Sequence, residues 1–376
     1  MKKILKSVML KAFLTVIISI SVVFGITVGG IRLHRVNLTK RYNFDYLNGG
    51  ANKVILFVGD GMGENHVAIT QAYFEREMFF TSFAKQGFVS TASLDVLKST
   101  DSASTATAFA TGSKVYNQEI SNLKGNDLPT LTEYLKEKGI GVGLVSTDAL
   151  NSQTIAAFSS HATNENNIEE IILEQTKSGV DLFLGSGREL YRRYKDEFVA
   201  ESYNYYDKFE NININQNKII GVFDEEKDET TSKTIPTLDK MTKLAVEFME
   251  NNFPDGYFLV VECGHIDKMS HNINILDMVK YLDNFDTAVS SAYEILKNDP
   301  TCSIIVTSTH ETGGLVYNGE SKEEINSMDS ITYDGHTLVD VPYYMYFGNE
   351  NLDVDKISNI IDNTDIYKIC KALLSD

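Results

Sequence analysis

Five short apolar, β-branched runs constrain this chain more than any other feature. They are KVILFV at Lys53–Val58, GVGLVS at Gly141–Ser146, DLFL at Asp181–Leu184, YFLVV at Tyr257–Val261 and SIIVT at Ser303–Thr307. Runs of this length without polar alternation read as strands covered on both faces, as in a parallel sheet. Helical patterns lie between them. Leu128–Lys138 spaces its apolar residues by three and four, with Pro129 near its start and Gly139 just beyond it. Thr237–Asn251 opens on a capping threonine and puts Leu238, Met241, Leu244, Ala245 and Phe248 on one face. Asp277–Leu296 is similar. Strands alternating with helices predict an α/β fold around a central, largely parallel sheet. Val341–Phe347 reads as a late strand, and Pro342 places it near an edge or a strand start. The Tyr- and Asn-rich segment Arg188–Thr234 has weak periodicity and reads as an insertion or lid-like excursion.

The N-terminal segment, residues 1–42, stands apart from this pattern. Lys2, Lys3, Lys6 and Lys11 precede a stretch from Ala12 to Ile31 with no charged residue. About 20 such residues suffice to cross a bilayer as a helix. A cleaved secretory signal and an uncleaved signal anchor both fit; the length of the run favours the anchor. Either reading puts the domain from Asn43 to Asp376 outside the cytoplasm. The formal charge of −18 disfavours a nucleic-acid partner, which selects for a basic face. It leaves room for an anionic substrate if bound cations reverse the local field. Cys263, Cys302 and Cys370 are too few and too scattered for a disulfide framework or a zinc finger.

Four polar clusters directly follow apolar runs, where open α/β sheets build their sites. In Gly59-Asp60-Gly61-Met62-Gly63 the third glycine of a dinucleotide fingerprint is misplaced. A carboxylate among glycines at a strand tip suits a metal ion, and a plain turn also accounts for it. Thr100–Gly112 reads as a helix of small residues beginning near Ser102, which places a hydroxyl where the helix N-terminus favours an anion. A simple Asp101 or Ser102 cap is the plainer account. Glu262–His271 holds Asp267 and His271 four residues apart, one helical turn, in a carboxylate–imidazole half-site for a metal. Thr309–Gly314, with His336 further on, adds His310 and His336 as nitrogen ligands.

In order and spacing, VGDGMG, TDSASTATAFATG, VECGHIDKMSH and THETGG with its later GHT…DVP resemble the alkaline phosphatase family, with weaker similarity at LFLGSGR. The resemblance runs from about Lys53 to Phe347. It implies a three-layer α/β/α fold, a site for up to two Zn²⁺ and one Mg²⁺, and hydrolysis of small phosphate monoesters through a phosphoserine. Carried over, Ser102 is the nucleophile. Asp267, His271 and His336 hold the first zinc. Asp60, His310 and Ser102 approach the second. Asp60, Thr154 and Glu262 hold the magnesium, with Ser152 nearby. A homodimer is compatible with the resemblance.

Two positions depart from the family pattern. Thr309 stands where the family has an aspartate ligand to the second zinc, and a neutral hydroxyl is a poorer ligand. Glu165 stands where an arginine, four residues after the histidine that aligns with His161, grips phosphate in bidentate fashion. Lys268 offers partial compensation, and a solvated surface lysine explains it equally well. The sequence therefore predicts a membrane-anchored or secreted metal-dependent phosphomonoesterase. A non-enzymatic metal-binding or surface relative and a phosphodiesterase remain open. A sulfatase is disfavoured, because no Pro or Arg follows Ser102 in the required pattern.

Overall fold

The computed structural model describes residues 42–95, 97–224, 236–326 and 333–375. Twelve strands are present among them: β1 (Lys53–Gly59), β2 (Lys85–Ser90), β3 (Asn122–Leu123), β4 (Asn126–Asp127), β5 (Gly141–Ala149), β6 (Leu182–Ser186), β7 (Asn204–Tyr206), β8 (Ile219–Phe223), β9 (Tyr257–Cys263), β10 (Cys302–Thr307), β11 (Val341–Phe347) and β12 (Ile360–Asp362). β3 and β4 form a small hairpin. The other ten make one sheet in the order β12-β2-β11-β10-β1-β9-β5-β6-β8-β7. Only β11 runs against its neighbours.

The five runs that define the pattern are β1, β5, β6, β9 and β10, and β1 is buried along its whole length. Its Ile55 and Phe57 join a core built with the helices Leu238–Asn252 and Ile275–Leu296. The opposite face carries Phe258, whose ring lies 5.8 Å from that of Phe158 in the helix Gln153–Ser159. Helices thus cover both faces of the sheet, giving three layers, which is why the central strands read as unbroken apolar stretches.

Local chemistry sets the helix starts. Thr130 and Glu133 form a reciprocal capping box, so the helix begins at Leu131, after Pro129. Asp101 caps the helix Ser102–Thr111 by accepting from the Ser104 N–H. All ten residues of that helix are buried. Their small side chains let it pack closely between neighbours: a Cβ on Gly112 would sit 2.6 Å from the Tyr367 ring of the helix Asn363–Leu373.

β11 lies inside the sheet between β10 and β2, so of the two readings of Pro342 the strand start holds and the edge does not. Pro342 is tolerated there as its second residue, and the Pro342 carbonyl accepts from Thr307 Oγ1 at 3.1 Å. The described part of Arg188–Thr234, residues 188–224, is built into the sheet through β7 and β8 rather than standing off as a lid. Its weak periodicity reflects very short elements. The apolar run at 12–31 lies outside the described residues. Among those described, no helix is long and apolar enough to cross a membrane.

Candidate active site

The register of the sheet gathers the polar clusters. Val58 of β1 pairs with Glu262 of β9 and Thr307 of β10, and Glu262 pairs with Ser146 of β5. The four strands lie side by side, so their C-terminal ends deliver Thr309 and His310, Asp60, Glu262 and Ser146 to one edge. Gly61 makes the first turn possible. Its φ is +77°, and a Cβ there would lie 2.9 Å from the Cα, Cβ and Oδ1 atoms of Asp267.

Ser102 enters from the start of its helix. Its Oγ lies 3.1 Å from each carboxylate oxygen of Asp60 and 2.9 Å from His310 Nε2. The Thr309 hydroxyl donates a short hydrogen bond to Asp60 Oδ1. On the other side of His310, its ring stacks on His336 at 3.6 Å. His271 Nε2 lies 3.0 Å from His336 Nε2 and 3.4 Å from Asp267 Oδ1. Asp267, His310 and His336 bring ligand atoms within 4.8 Å of one another.

The outer partners fix the histidine tautomers. His336 Nδ1 donates to the Thr100 carbonyl at 2.9 Å, and His271 Nδ1 donates to the Asp334 carbonyl. A carbonyl accepts only, so both Nε2 atoms carry lone pairs and face each other. Thr312 gives its hydroxyl proton to Asp267 and so accepts from His310 Nδ1 at 3.1 Å. His310 Nε2 is then also a lone pair. The lone pairs of His271 and His336 meet beside Asp267, and that of His310 faces Asp60 and Ser102; imidazole lone pairs and carboxylates this close favour a cation among them, and the donor types fit zinc.

The acidic side fits a harder ion. Glu262 Oε2 accepts from Ser146 Oγ at 2.6 Å and from Ser152 Oγ at 3.3 Å. Thr154 Oγ1 is buried beside Glu262 and, with Ser146 and Ser152, helps to hold its carboxyl down. Hydroxyls buried around a carboxylate are oxygen donors that a magnesium ion would use. Burial, then Asp267 and Glu262, holds the Asp60 carboxyl well above its ordinary range, while hydrogen bonds from Thr309 and Ser102 pull it down. Burial, followed by Asp148, pushes Glu262 up to about 7. Burial, then the neighbouring His336 and His271, holds His310 well below the usual imidazole range. The two raised carboxyls would be relieved by positive charge at this spot, and the lowered imidazole leaves His310 neutral and able to act as a ligand. Where the resemblance implies a second zinc, Thr309 offers only a hydroxyl already committed to Asp60, a poorer fit than a carboxylate.

The sequence-derived residues Asp60, Ser102, Ser152, Thr154, Glu262, Asp267, His271, Thr309, His310 and His336 thus converge at one end of the central strands. Glu165 occupies the loop beside the nucleophile. Its N–H donates to the Gln118 carbonyl at 2.8 Å, and Gln118 N–H donates to Asp101 Oδ2 at 2.6 Å. Burial and then Asp101 raise the Glu165 carboxyl, with Gln153 as its hydrogen-bond partner. Lys268 is held by Asp148 at 2.5 Å, so its charge is already engaged. Cys263 is buried, and burial pushes its thiol up to about 12, consistent with core filling. Sequence reasoning missed Ser146, Thr312 and Asp148. Ser146 and Thr312 lie at the end of a recognised strand and inside a recognised motif, but their partners are set by register across strands. His66 is also buried near the site. The Gly63 N–H donates to its Nδ1, and its Nε2 donates to Ser270 Oγ, so it is a satisfied structural histidine.

The chain matches the alkaline phosphatase family over residues 51–372. It is 31% identical over 291 residues to alkaline phosphatase 3 of Bacillus subtilis, covering 69% of this chain and 61% of that protein. The chain thus spans about three fifths of the length of the first Bacillus relatives it matches. It is 25% identical to the alkaline phosphatase of Escherichia coli, with 86% of each chain covered. Its fold matches the alkaline phosphatase of the Antarctic bacterium TAB5 with a TM-score of 0.74 and 26% identity, covering 87% of this chain and 98% of that one. The similarity spans the whole sheet and all four motifs: the chain belongs to the alkaline phosphatase family.

Proposed function

We propose that this chain hydrolyses phosphate monoesters by way of a phosphoserine at Ser102. The observation that carries the reading is the Ser102 hydroxyl, fixed at a helix N-terminus between Asp60 and His310 and beside the imidazole cluster. Asp60, Glu262, Ser152 and Thr154 are the residues that would hold Mg²⁺, and Asp267, His271, His336 and His310 those that would hold Zn²⁺. Bound there, the cations would lower the hydroxyl pKa, stabilise the leaving oxygen and offset the acidic surroundings.

The chain's own residues supply the rest. The helix start directs its positive end at the phosphoryl group. Ser102 Oγ forms a bond to phosphorus as the ester P–O bond breaks, and the alcohol departs. The hydroxyl proton passes to a carboxylate oxygen of Asp60, each of which lies 3.1 Å from Ser102 Oγ, and an equivalent proton is taken up by the departing alkoxide. Water then attacks the phosphoserine, releasing inorganic phosphate and restoring the hydroxyl. The N-terminal run is proposed as the anchor or export signal that places this domain outside the cytoplasm.

Thr309 and Glu165 support a second reading, a monoanionic diester substrate or a metal-binding relative without turnover. Purified protein with added zinc and magnesium, assayed on a chromogenic monoester and diester, separates them. Faster turnover of the monoester, lost in Ser102→Ala, supports the first reading; a preference for the diester, or no turnover, supports the second.

A further inference from the structure

We infer that the mouth of this site takes the apolar ester group of its substrate, an inference that rests on the phosphomonoesterase reading and narrows its substrate class. Three loops carry the histidine cluster, and all three expose apolar side chains. Ile273 follows His271, Val316 follows Thr312, and Tyr333, Leu338 and Val339 flank His336; each is between 50% and 61% exposed. The loops are tied together at the ligands. His271 Nδ1 donates to the Asp334 carbonyl, Gly313 N–H donates to Gly335 O at 3.0 Å, and Thr337 N–H donates to Glu311 O at 2.9 Å.

Singly exposed apolar residues need no explanation, but these five all lie within a few residues of segments joined at the histidine cluster. Ile273 adds to this. It is β-branched, yet its φ is +56°, a conformation that costs backbone energy and turns an apolar side chain outward two residues beyond a metal-ligating histidine.

Charge points the same way. On the nucleophile's other side stand Glu165 and Asp101, and the adjacent Lys268 is engaged with Asp148. A substrate with further negative charge, such as a nucleotide, meets repulsion there. A single phosphoryl group on an uncharged alcohol brings the least negative charge to that side. The rim removes the ester carbons from water while the phosphoryl group reaches Ser102.

The test uses the full chain with zinc and magnesium and the non-hydrolysable methyl-, butyl- and hexylphosphonates, so that it does not depend on turnover. Calorimetric affinity should rise about twofold per methylene for half-burial, approaching fourfold for full burial. Leu338→Asp and Val316→Asp, both at exposed positions that do not threaten folding, should flatten that dependence at least fivefold between methyl and hexyl. Val199→Asp, an equally exposed apolar site on the helix Lys195–Ala200, should leave it intact. Equal affinity for all three phosphonates overturns the inference. So does a Leu338→Asp variant that keeps the wild-type dependence while its hydrodynamic size halves, which would make the patch an interface between copies. Chain-length dependence without any monoester turnover would leave the binding surface standing and defeat the enzymatic reading instead.

Discussion

Replacing Thr309 by aspartate tests the electrostatic reading of the site from both directions. Thr309 Oγ1 donates to Asp60 Oδ1, and Asp60 is already raised by burial, Asp267 and Glu262. An aspartate there swaps a hydrogen-bond donor for a second carboxylate. Two carboxylates about 4 Å apart repel by about 4 kcal/mol at an effective dielectric constant of ~20. Without metal, Thr309→Asp should therefore melt several degrees below wild type, since each kcal/mol shifts a domain of this size by about 2 °C. A dication at the second-zinc position removes that repulsion and gains a ligand. The same 4 kcal/mol then appears as about 10²–10³-fold tighter binding, at ~1.4 kcal/mol per tenfold. The assay is zinc titration against a competing chelator, paired with melting curves in chelator and in zinc. The variant should be less stable than wild type in chelator, bind a second zinc that wild type holds loosely, and turn over faster. Unchanged zinc stoichiometry together with an unchanged melting temperature in chelator would refute the placement of Thr309 at a metal position.

Glu165→Arg should lower KM for a monoester about tenfold by replacing repulsion with a bidentate grip; an unchanged KM in steady-state assays would show that this side chain does not face the phosphoryl group. His161 donates from Nδ1 to Glu174 at 3.1 Å and from Nε2 to the Leu128 carbonyl at 3.2 Å, and hydrogen bonds to Glu133 and Glu174 raise its pKa to about 10. A raised pKa stabilises the fold fully below the unfolded value near 6.5 and is lost as the pH climbs through 10. His161→Gln should therefore cost about 1–2 kcal/mol at pH 6, after allowance for its half-exposed partners, and nothing above pH 10. A pH-independent difference in denaturant midpoints would contradict this. Gly61→Ala forces a Cβ against Asp267 and holds alanine at φ +77°, so it should cost at least 1–2 kcal/mol and weaken zinc binding; wild-type affinity and stability would show that the turn relaxes freely.

Much of the fold was legible because its central strands are buried on both faces. β1, β9 and β10 appear as unbroken apolar runs, and their polar C-terminal neighbours mark the site. The edges were not legible. β2, β7 and β12 are short or mixed in character, and Pro342 left β11 open between an edge and a strand start. Pairing partners decide such cases, and they lie far apart in sequence: β2 pairs with β11 and β12. The site shows the same division. Asp267 and His271 announce themselves by helical spacing, and Ser102 by its place at the start of a helix of small residues. Ser146 became visible only through its register with Glu262, and Thr312 only through the tautomer it imposes on His310. Glu165 was legible as a departure from the family, but its approach to Asp101 depends on the bonds linking it through Gln118. The apolar rim had no sequence signature, because Ile273, Val316, Tyr333, Leu338 and Val339 come from three separate loops.

Whether Ser102 is a nucleophile towards phosphate monoesters is decided by hydrolysis of a chromogenic phosphate monoester at alkaline pH with zinc and magnesium, for the wild-type chain and Ser102→Ala side by side. The wild type should turn over and the variant should lose at least a thousandfold, with zinc binding retained because the imidazole cluster is untouched. Equal turnover by both proteins, or none by either with metals bound, would contradict that role.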